Sequence, residues 1–335
     1  MQITWFPPEG LLSMPVSHDH THSHPHDVGG EPSGAIDTRD QGMTHWEKHA
    51  NAFRMVMTGK GLASLDEMRR AAEDLGTRFY KIGYFERQTE AAAIALIERG
   101  VFTQSEFDEE MEAARARFDV PALNLPSDHD HDGKPIQEDD AGGPPNEHHI
   151  MNLAMQALLV ARGHLTAAEV RQMIENFDQE YPSRGAEVVV KAWMDPNFKA
   201  SLLNDAKAAI ASMGIDLEFQ DDIVAVENTD DVHNIVVCTL CSCYPRFLLG
   251  QPPTWYKSRA YRSRTVHEPR AVLREFGTEI PSSVRIQVHD SNADLRYLVV
   301  PKRPEGTGNW NEKRLKSILT RDCFVGVAVP EAVSR

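Results

Sequence analysis

From about Trp46 to Phe118 apolar residues recur every three to four positions, the spacing of helices that bury one face. Leu65-Asp66-Glu67-Met68-Arg69 opens one amphipathic stretch, and Ala91 to Ile97 predicts an apolar helix stopped by Gly100. Ser105 reads as the cap of a helix beginning near Glu106. After His148-His149 the helical spacing resumes over Ile150 to Ala161, Ala167 to Phe177, Val188 to Trp193 and Phe198 to Met213. Thr166 stands there as an N-cap, and Gly163 and Gly214 as helix ends. Beyond Gly214 the pattern turns β-rich: Ile223 to Val226, Asn234 to Val237, Val284 to His289, Leu295 to Val300 and Phe324 to Val329 predict strands separated by turn residues. Helices followed by strands predict an α+β chain.

Two stretches lack any such pattern. Residues 1–34 hold Pro7, Pro8, Pro15 and the alternating His18, His20, His22, His24 and His26, a tail without a packable face. Residues 119–148 are rich in Pro, Asp, His and Gly, including Asp128-His129-Asp130-His131-Asp132-Gly133 and Gly142-Gly143-Pro144-Pro145, and read as a linker. The chain therefore divides into a His-rich N-terminal tail (1–34), a helical domain (35–118), a linker (119–148) and a larger domain (149–335).

Charge narrows the choice of partner. With 50 acidic against 35 basic residues and a net charge of −15, neither nucleic acid nor an anionic membrane is the expected partner. No run approaches the roughly 18 to 20 apolar residues that span a bilayer. The start lacks a basic stretch leading into an apolar core, so a soluble cytoplasmic protein is expected.

Of the 4 cysteines, Cys323 stands alone while Cys238, Cys241 and Cys243 lie within one short run, which is not a disulfide framework. C-x-x-C-x-C places three soft sulfurs on one loop, too close to span a tetrahedral zinc knuckle, and no second pair exists. From the residues alone a metal site, redox thiols and buried structural cysteines all stay open. A six-coordinate metal here would recruit the backbone amides of Ser242 and Cys243, which ionise only against a strongly Lewis-acidic trivalent ion.

The wider context is more specific. Val237 to Pro245 (Val-Cys-Thr-Leu-Cys-Ser-Cys-Tyr-Pro), then Leu249-Gly250, Pro252-Pro253, Trp255-Tyr256-Lys257-Ser258, Tyr261-Arg262-Ser263-Arg264 and Glu268-Pro269-Arg270, resembles the nitrile hydratase α-subunit motif. The likeness covers about residues 149 to 332, and thiocyanate hydrolase shares it. It implies a layered α/β metal domain with a helical N-terminal arm. Cys238, Cys241 and Cys243 would bind through sulfur, and Ser242 and Cys243 through amide nitrogen. Thr239 is the residue associated with cobalt, so one Co(III) per chain is implied rather than iron. Cys241 as sulfinate and Cys243 as sulfenate are implied too.

His26-Asp27-Val28-Gly29-Gly30-Glu31, Trp46-Glu47, Leu65 to Arg69 and Tyr84-Phe85-Glu86 resemble the N-terminal helical part of the nitrile hydratase β subunit. By position Arg69 would bond the oxidised cysteines, and Tyr84 would face the substrate. A trivalent ion with two amidates and three anionic sulfurs sums to about −2, and such an anion needs a cation when buried. The β subunit's SH3-like barrel does not follow Phe118, which implies a separate barrel subunit and a hetero-oligomer.

The activity implied is hydration of a nitrile to its amide, with Cys243, Arg69 and Tyr84 as the catalytic set. The alternative is hydrolysis of thiocyanate to carbonyl sulfide and ammonia. Arg246 stands where nitrile hydratases commonly have tryptophan, which would suit an anionic substrate or a structural ion pair. A non-catalytic metal-trafficking protein is the reading from another class, motivated by the His-rich tracts.

Overall fold

In the computed structural model, residues 27–118, 145–217 and 222–332 are described. The histidine run at 18–26 and the Asp-His stretch at 128–133 lie outside them. The first part is helical: α1 (His45–Gly59), α2 (Leu65–Glu73), α3 (Tyr84–Glu98) and α4 (Gln104–Ala116). A second helical group follows as α5 (Glu147–Ala161), α6 (Ala167–Glu175), α7 (Tyr181–Met194), α8 (Pro196–Asn204) and α9 (Ala206–Ala211). The remainder is β1 (Asp222–Glu227), β2 (Val232–Val237), α10 (Arg246–Leu249), α11 (Arg259–Arg264), α12 (Pro269–Glu275), β3 (Arg285–Asp290), β4 (Leu295–Val300), α13 (Glu312–Lys316) and α14 (Arg321–Val325). The chain is thus α+β, and its strands pair in parallel, β1 with β4 and β2 with β3. Among the described residues no helix is long and apolar enough to cross a membrane.

Capping chemistry sets the helix starts that matter for the site. Ser64 Oγ accepts the Glu67 amide while the Glu67 carboxylate accepts the Ser64 amide, satisfying two donors at the head of α2. That fixes Arg69 in the second turn. At α3 the Glu86 carboxylate accepts the Gly83 amide at 2.6 Å, which makes Tyr84 the first helical residue. The cap of α4 is Thr103 rather than Ser105, because Thr103 and Glu106 close their own capping box two residues earlier. Thr166 caps α6 as expected, and Gly163 and Gly214 follow helix ends with positive φ.

One expected strand is a helix. Thr320 opens α14, whose Cys323, Phe324 and Val325 are all buried, so the Phe324 to Val329 segment has no β-ladder. A short apolar run buried on every side carries no period that separates helix from strand. Gly326 ends the helix at φ +86°, and a Cβ there would lie 2.0 Å from the Asn234 carbonyl oxygen of β2. Only glycine allows that approach.

A single hydrophobic core runs through both helical groups and the strands, from Phe53, Met57, Met68 and Leu96 to Val188, Leu249, Val299 and Phe324. α5 packs against α3 and α4, and α6 against α1. The first part is therefore held against the second by buried side chains. Residues 27–36 also pack on the second part: Gly30 donates to Ser263 O at 2.8 Å, and Ile36 donates to the Glu275 carboxylate at 2.8 Å. Gly326→Ala should destabilise the chain by at least about 3 kcal/mol, because left-handed strain adds to a backbone clash. Urea unfolding should show a lower midpoint with an unchanged slope; an unchanged midpoint would contradict this close packing of α14 against β2.

Candidate metal centre

β2 ends at Val237, and the chain then folds back so that the sulfurs of Cys238, Cys241 and Cys243 all lie within 4.8 Å of one another. Cys241 Sγ is 3.6 Å from Cys238 Sγ and 3.3 Å from Cys243 Sγ, well beyond the ~2.05 Å of a disulfide. The loop is held by its backbone. Arg262 of α11 donates to Cys238 O at 3.1 Å and to Thr239 O at 2.7 Å, and Tyr256 donates to Cys243 O at 2.9 Å. The β2–β3 register sets Asp290 opposite Val237, where its carboxylate accepts the Thr239 amide at 3.0 Å and the Thr239 hydroxyl at 2.6 Å. Gly29 packs on the Thr239 methyl, its virtual Cβ only 3.0 Å from Thr239 Cγ2.

The helical part covers the other side. Arg69 Nη2 points at Cys241 Sγ from 3.8 Å, while Arg69 Nη1 reaches Asp66 at 3.2 Å. Arg69 Nε is buried without a hydrogen-bond partner. The Tyr84 hydroxyl lies 2.6 Å from Ser242 Oγ. A cavity of about 220 Å³ opens over Cys241, Ser242 and Cys243 and is lined also by Arg54, Met55, Thr58, Arg69, Tyr84, Gln88, Arg246, Phe247 and Arg296. Its lining holds no carboxylate. Cys323 sits apart, buried on α14 beside Thr320.

The sulfurs cannot all be anions as they stand. Hydrogen bonds from its two sulfur neighbours hold Cys241 well below the ordinary thiol range, Cys238 first, with Arg69 adding to them. Cys238 is pushed up to about 12, first by its bond to Cys241, and Cys243 well above the usual range, first by Cys238. Three buried thiolates this close require a cation between them. The donor set suits a metal ion: soft sulfurs, an arginine Nη2 at 3.8 Å from one of them, and a largely buried loop fixed from outside.

Residues 146–328 match the family described as nitrile hydratase, alpha chain. The chain belongs to the nitrile hydratase family. Residues 23–140 match the N-terminal part of the nitrile hydratase beta subunit, so one polypeptide holds segments of both kinds. Over 182 residues this family member is 47% identical to the cobalt-containing nitrile hydratase subunit alpha of Pseudonocardia thermophila, covering 54% of this chain and 89% of the relative. It is 40% identical over 193 residues to thiocyanate hydrolase subunit gamma of Thiobacillus thioparus, covering 54% and 79%. Among solved structures, recombinant thiocyanate hydrolase with partially modified cobalt centres aligns at TM-score 0.53 and 39% identity, covering 56% of this chain and 91% of that one. An Fe-type nitrile hydratase double mutant from Comamonas testosteroni aligns at TM-score 0.51 and 40% identity, covering 53% and 88%. These relatives make the chain a member of an enzyme family of hydratases and hydrolases.

Of the residues expected from the sequence, Cys241, Ser242, Cys243, Arg69 and Tyr84 line this cavity, and Cys238 lies buried behind it with its sulfur within 4.8 Å of the other two. Sequence reasoning missed Arg54 and Arg296 in the lining and gave no role to Asp290. The signal for Arg54 was present: Asn51 and Arg54 interrupt an otherwise apolar face made by Ala50, Phe53 and Met57. Asp290→Ala should leave two buried donors of Thr239 unpaired and destabilise the chain by about 2 to 4 kcal/mol, whereas Thr239→Val should cost less. Denaturant unfolding of both variants measures the difference; equal stabilities would show that Asp290 does not hold the loop.

Proposed function

We propose that this chain carries the metal centre of a cobalt-dependent nitrile hydratase, which adds water across a carbon–nitrogen triple bond to give an amide. The observation behind the reading is the convergence of Cys238, Cys241 and Cys243 within 4.8 Å under a cavity that Arg69 and Tyr84 also line. One ion per chain would be held by these sulfurs and by the amide nitrogens of Ser242 and Cys243. Thr239 and the cobalt-containing relatives favour cobalt over iron. Bound there, a trivalent ion supplies Lewis acidity to the triple bond and to water.

The chain's own groups do the rest. Arg69 brings Nη2 to 3.8 Å from Cys241 Sγ, and its buried Nε, without a partner, leaves a second donor for an oxygen carried by an oxidised cysteine. Cys243 as sulfenate offers one nucleophilic oxygen and a water another. Tyr84, hydrogen-bonded to Ser242, orients the substrate above the loop. A separate SH3-like barrel subunit completes the assembly as a hetero-oligomer. A second reading, thiocyanate hydrolysis, is favoured by one observation: Arg246 lines the cavity, and among the described residues its guanidinium bonds the amide oxygens of Asn51 and Gln251 and no carboxylate.

Chain loaded with cobalt and joined to its barrel subunit should form acrylamide from acrylonitrile or carbonyl sulfide from thiocyanate; production of neither would sink the proposal. Serine in place of Cys238, Cys241 or Cys243 should abolish stoichiometric cobalt in elemental analysis, since a hydroxyl replaces a soft thiolate poorly on a trivalent ion. Full metal content in any one of them would remove that residue from the ligand set. Arg69→Lys should keep the circular dichroism of the parent yet lower kcat at least about tenfold, as lysine retains the charge without the fork. An unchanged kcat would return Arg69 to a surface role.

A further inference from the structure

Lys257 ends the short 3-10 turn Thr254–Lys257 between α10 and α11. Its two predecessors fix where it stands, since Trp255 and Tyr256 are buried and Tyr256 donates to Cys243 O at 2.9 Å. From there the half-buried side chain crosses from the metal part to the helical part. Its Nζ lies 4.5 Å from the centre of the Phe85 ring and 5.4 Å from that of Tyr84. Both distances are within the roughly 6 Å over which a ring attracts a cation. Tyr84 and Phe85 themselves meet edge to face at 5.0 Å, so the ammonium rests against a packed pair.

Among the described residues Lys48, Lys60, Lys199, Lys302 and Lys316 each reach a carboxylate, and Lys257 reaches none. The charged groups that act on it are Arg246 of α10, Glu47 of α1 and Asp40 ahead of α1. Burial first, and Arg246 next, push its ammonium down to about 8, against the two carboxylates. The cap of α3 sets the backbone at Tyr84 but leaves the ring free to turn about its own side-chain bonds. Yet the hydroxyl has to meet Ser242 Oγ at 2.6 Å. A cation beside the ring resists that turning, and by drawing on the π electrons it makes the O–H a stronger donor.

We infer that Lys257 is a positioning residue whose ammonium clamps the Tyr84 ring and so holds the Tyr84 hydroxyl against Ser242. The inference rests on reading Tyr84 as the group that orients the substrate, and it names what orients Tyr84. The rival role for such a side chain is packing by its apolar stem. Lys257→Met separates the two, because it keeps the stem and drops the charge.

The test pairs a spectroscopic arm with kinetics. In full chain carrying carbon-labelled lysine, the Cε signal that vanishes in Lys257→Arg should be displaced upfield by the rings and should titrate at about pH 8, below the roughly 10.4 of an ordinary lysine. Tyr84→Leu should remove part of that displacement. An undisplaced signal, or one that Tyr84→Leu leaves unmoved, would overturn the inference, and this arm needs neither metal nor turnover. In cobalt-loaded chain joined to its barrel subunit, Lys257→Met should lower kcat about three- to tenfold with KM within about twofold. Lys257→Arg should restore most of the rate, since a guanidinium also stacks on rings. As pH rises through about 8 the parent's ammonium is lost and kcat should fall; Lys257→Arg, which stays protonated, should lack this limb. In a Tyr84→Phe background Lys257→Met should cost less than about twofold more, because a residue acting through the hydroxyl has nothing left to act on. Full kcat in Lys257→Met, a changed KM at constant kcat, or losses that multiply in the double variant would each return Lys257 to packing. No turnover by the parent chain would count against the hydratase reading, while the spectrum still decided the clamp.

Discussion

Sulfur atoms of three cysteines, two buried and Cys241 half-buried, come together at the end of β2 although each is potentially anionic, and their approach is enforced from the backbone side. Arg262 and Tyr256 take up the carbonyls of Cys238, Thr239 and Cys243, and Asp290 takes up the donors of Thr239. With its peptide groups satisfied from outside, the loop leaves its sulfurs close together, where as thiolates they require a cation to offset their repulsion. The parallel register of β2 and β3 matters for chemistry as well as folding, because it delivers Asp290 to the first turn of the loop. A slip of one residue would put a neighbour of opposite facing in its place.

The cover over the loop depends on a second constraint. Arg69 and Tyr84 stand near the starts of two capped helices, so hydrogen bonds at the caps of α2 and α3 set their positions. Those helices are in turn held against the metal part by a core continuous through α1, α3, α4, α5 and α6. Joining segments of the alpha and beta kinds in one polypeptide fixes their ratio at one to one. It also makes the cavity's two walls neighbours at high effective concentration.

Much of this was legible in the sequence, for identifiable reasons. The cysteine spacing and the Tyr-Pro and Trp-Tyr-Lys-Ser runs that follow it are local patterns, and so is the Thr166 N-cap of α6. The strands at 222–227, 232–237, 285–290 and 295–300 were visible within about two residues at each end. What stayed hidden depends on contacts between distant segments. Phe324 to Val329 looked like a strand because a short apolar run, buried from Phe324 to Val327, has no alternation to read. Arg246 lies 195 positions from Asn51, the partner it shares with Arg54, and no local rule relates them. Asp290 looked like a turn residue until β-pairing gave it the Thr239 hydroxyl to hold.

The strap formed by residues 27–42 lies across the metal part far from its own position in the chain. Ile36 meets Glu275 across 239 residues, and Asp40 meets Arg321 across 281. Gly29, in the same strap, forms the outer wall against Thr239. During synthesis the strap leaves the ribosome more than two hundred residues before the partners it packs on. Closing a loop of that length carries an entropic cost that only long-range packing repays, so this wall belongs to the slow, late part of folding. The environment of the cysteine loop is consequently complete only when segments more than two hundred residues apart have been made and brought together.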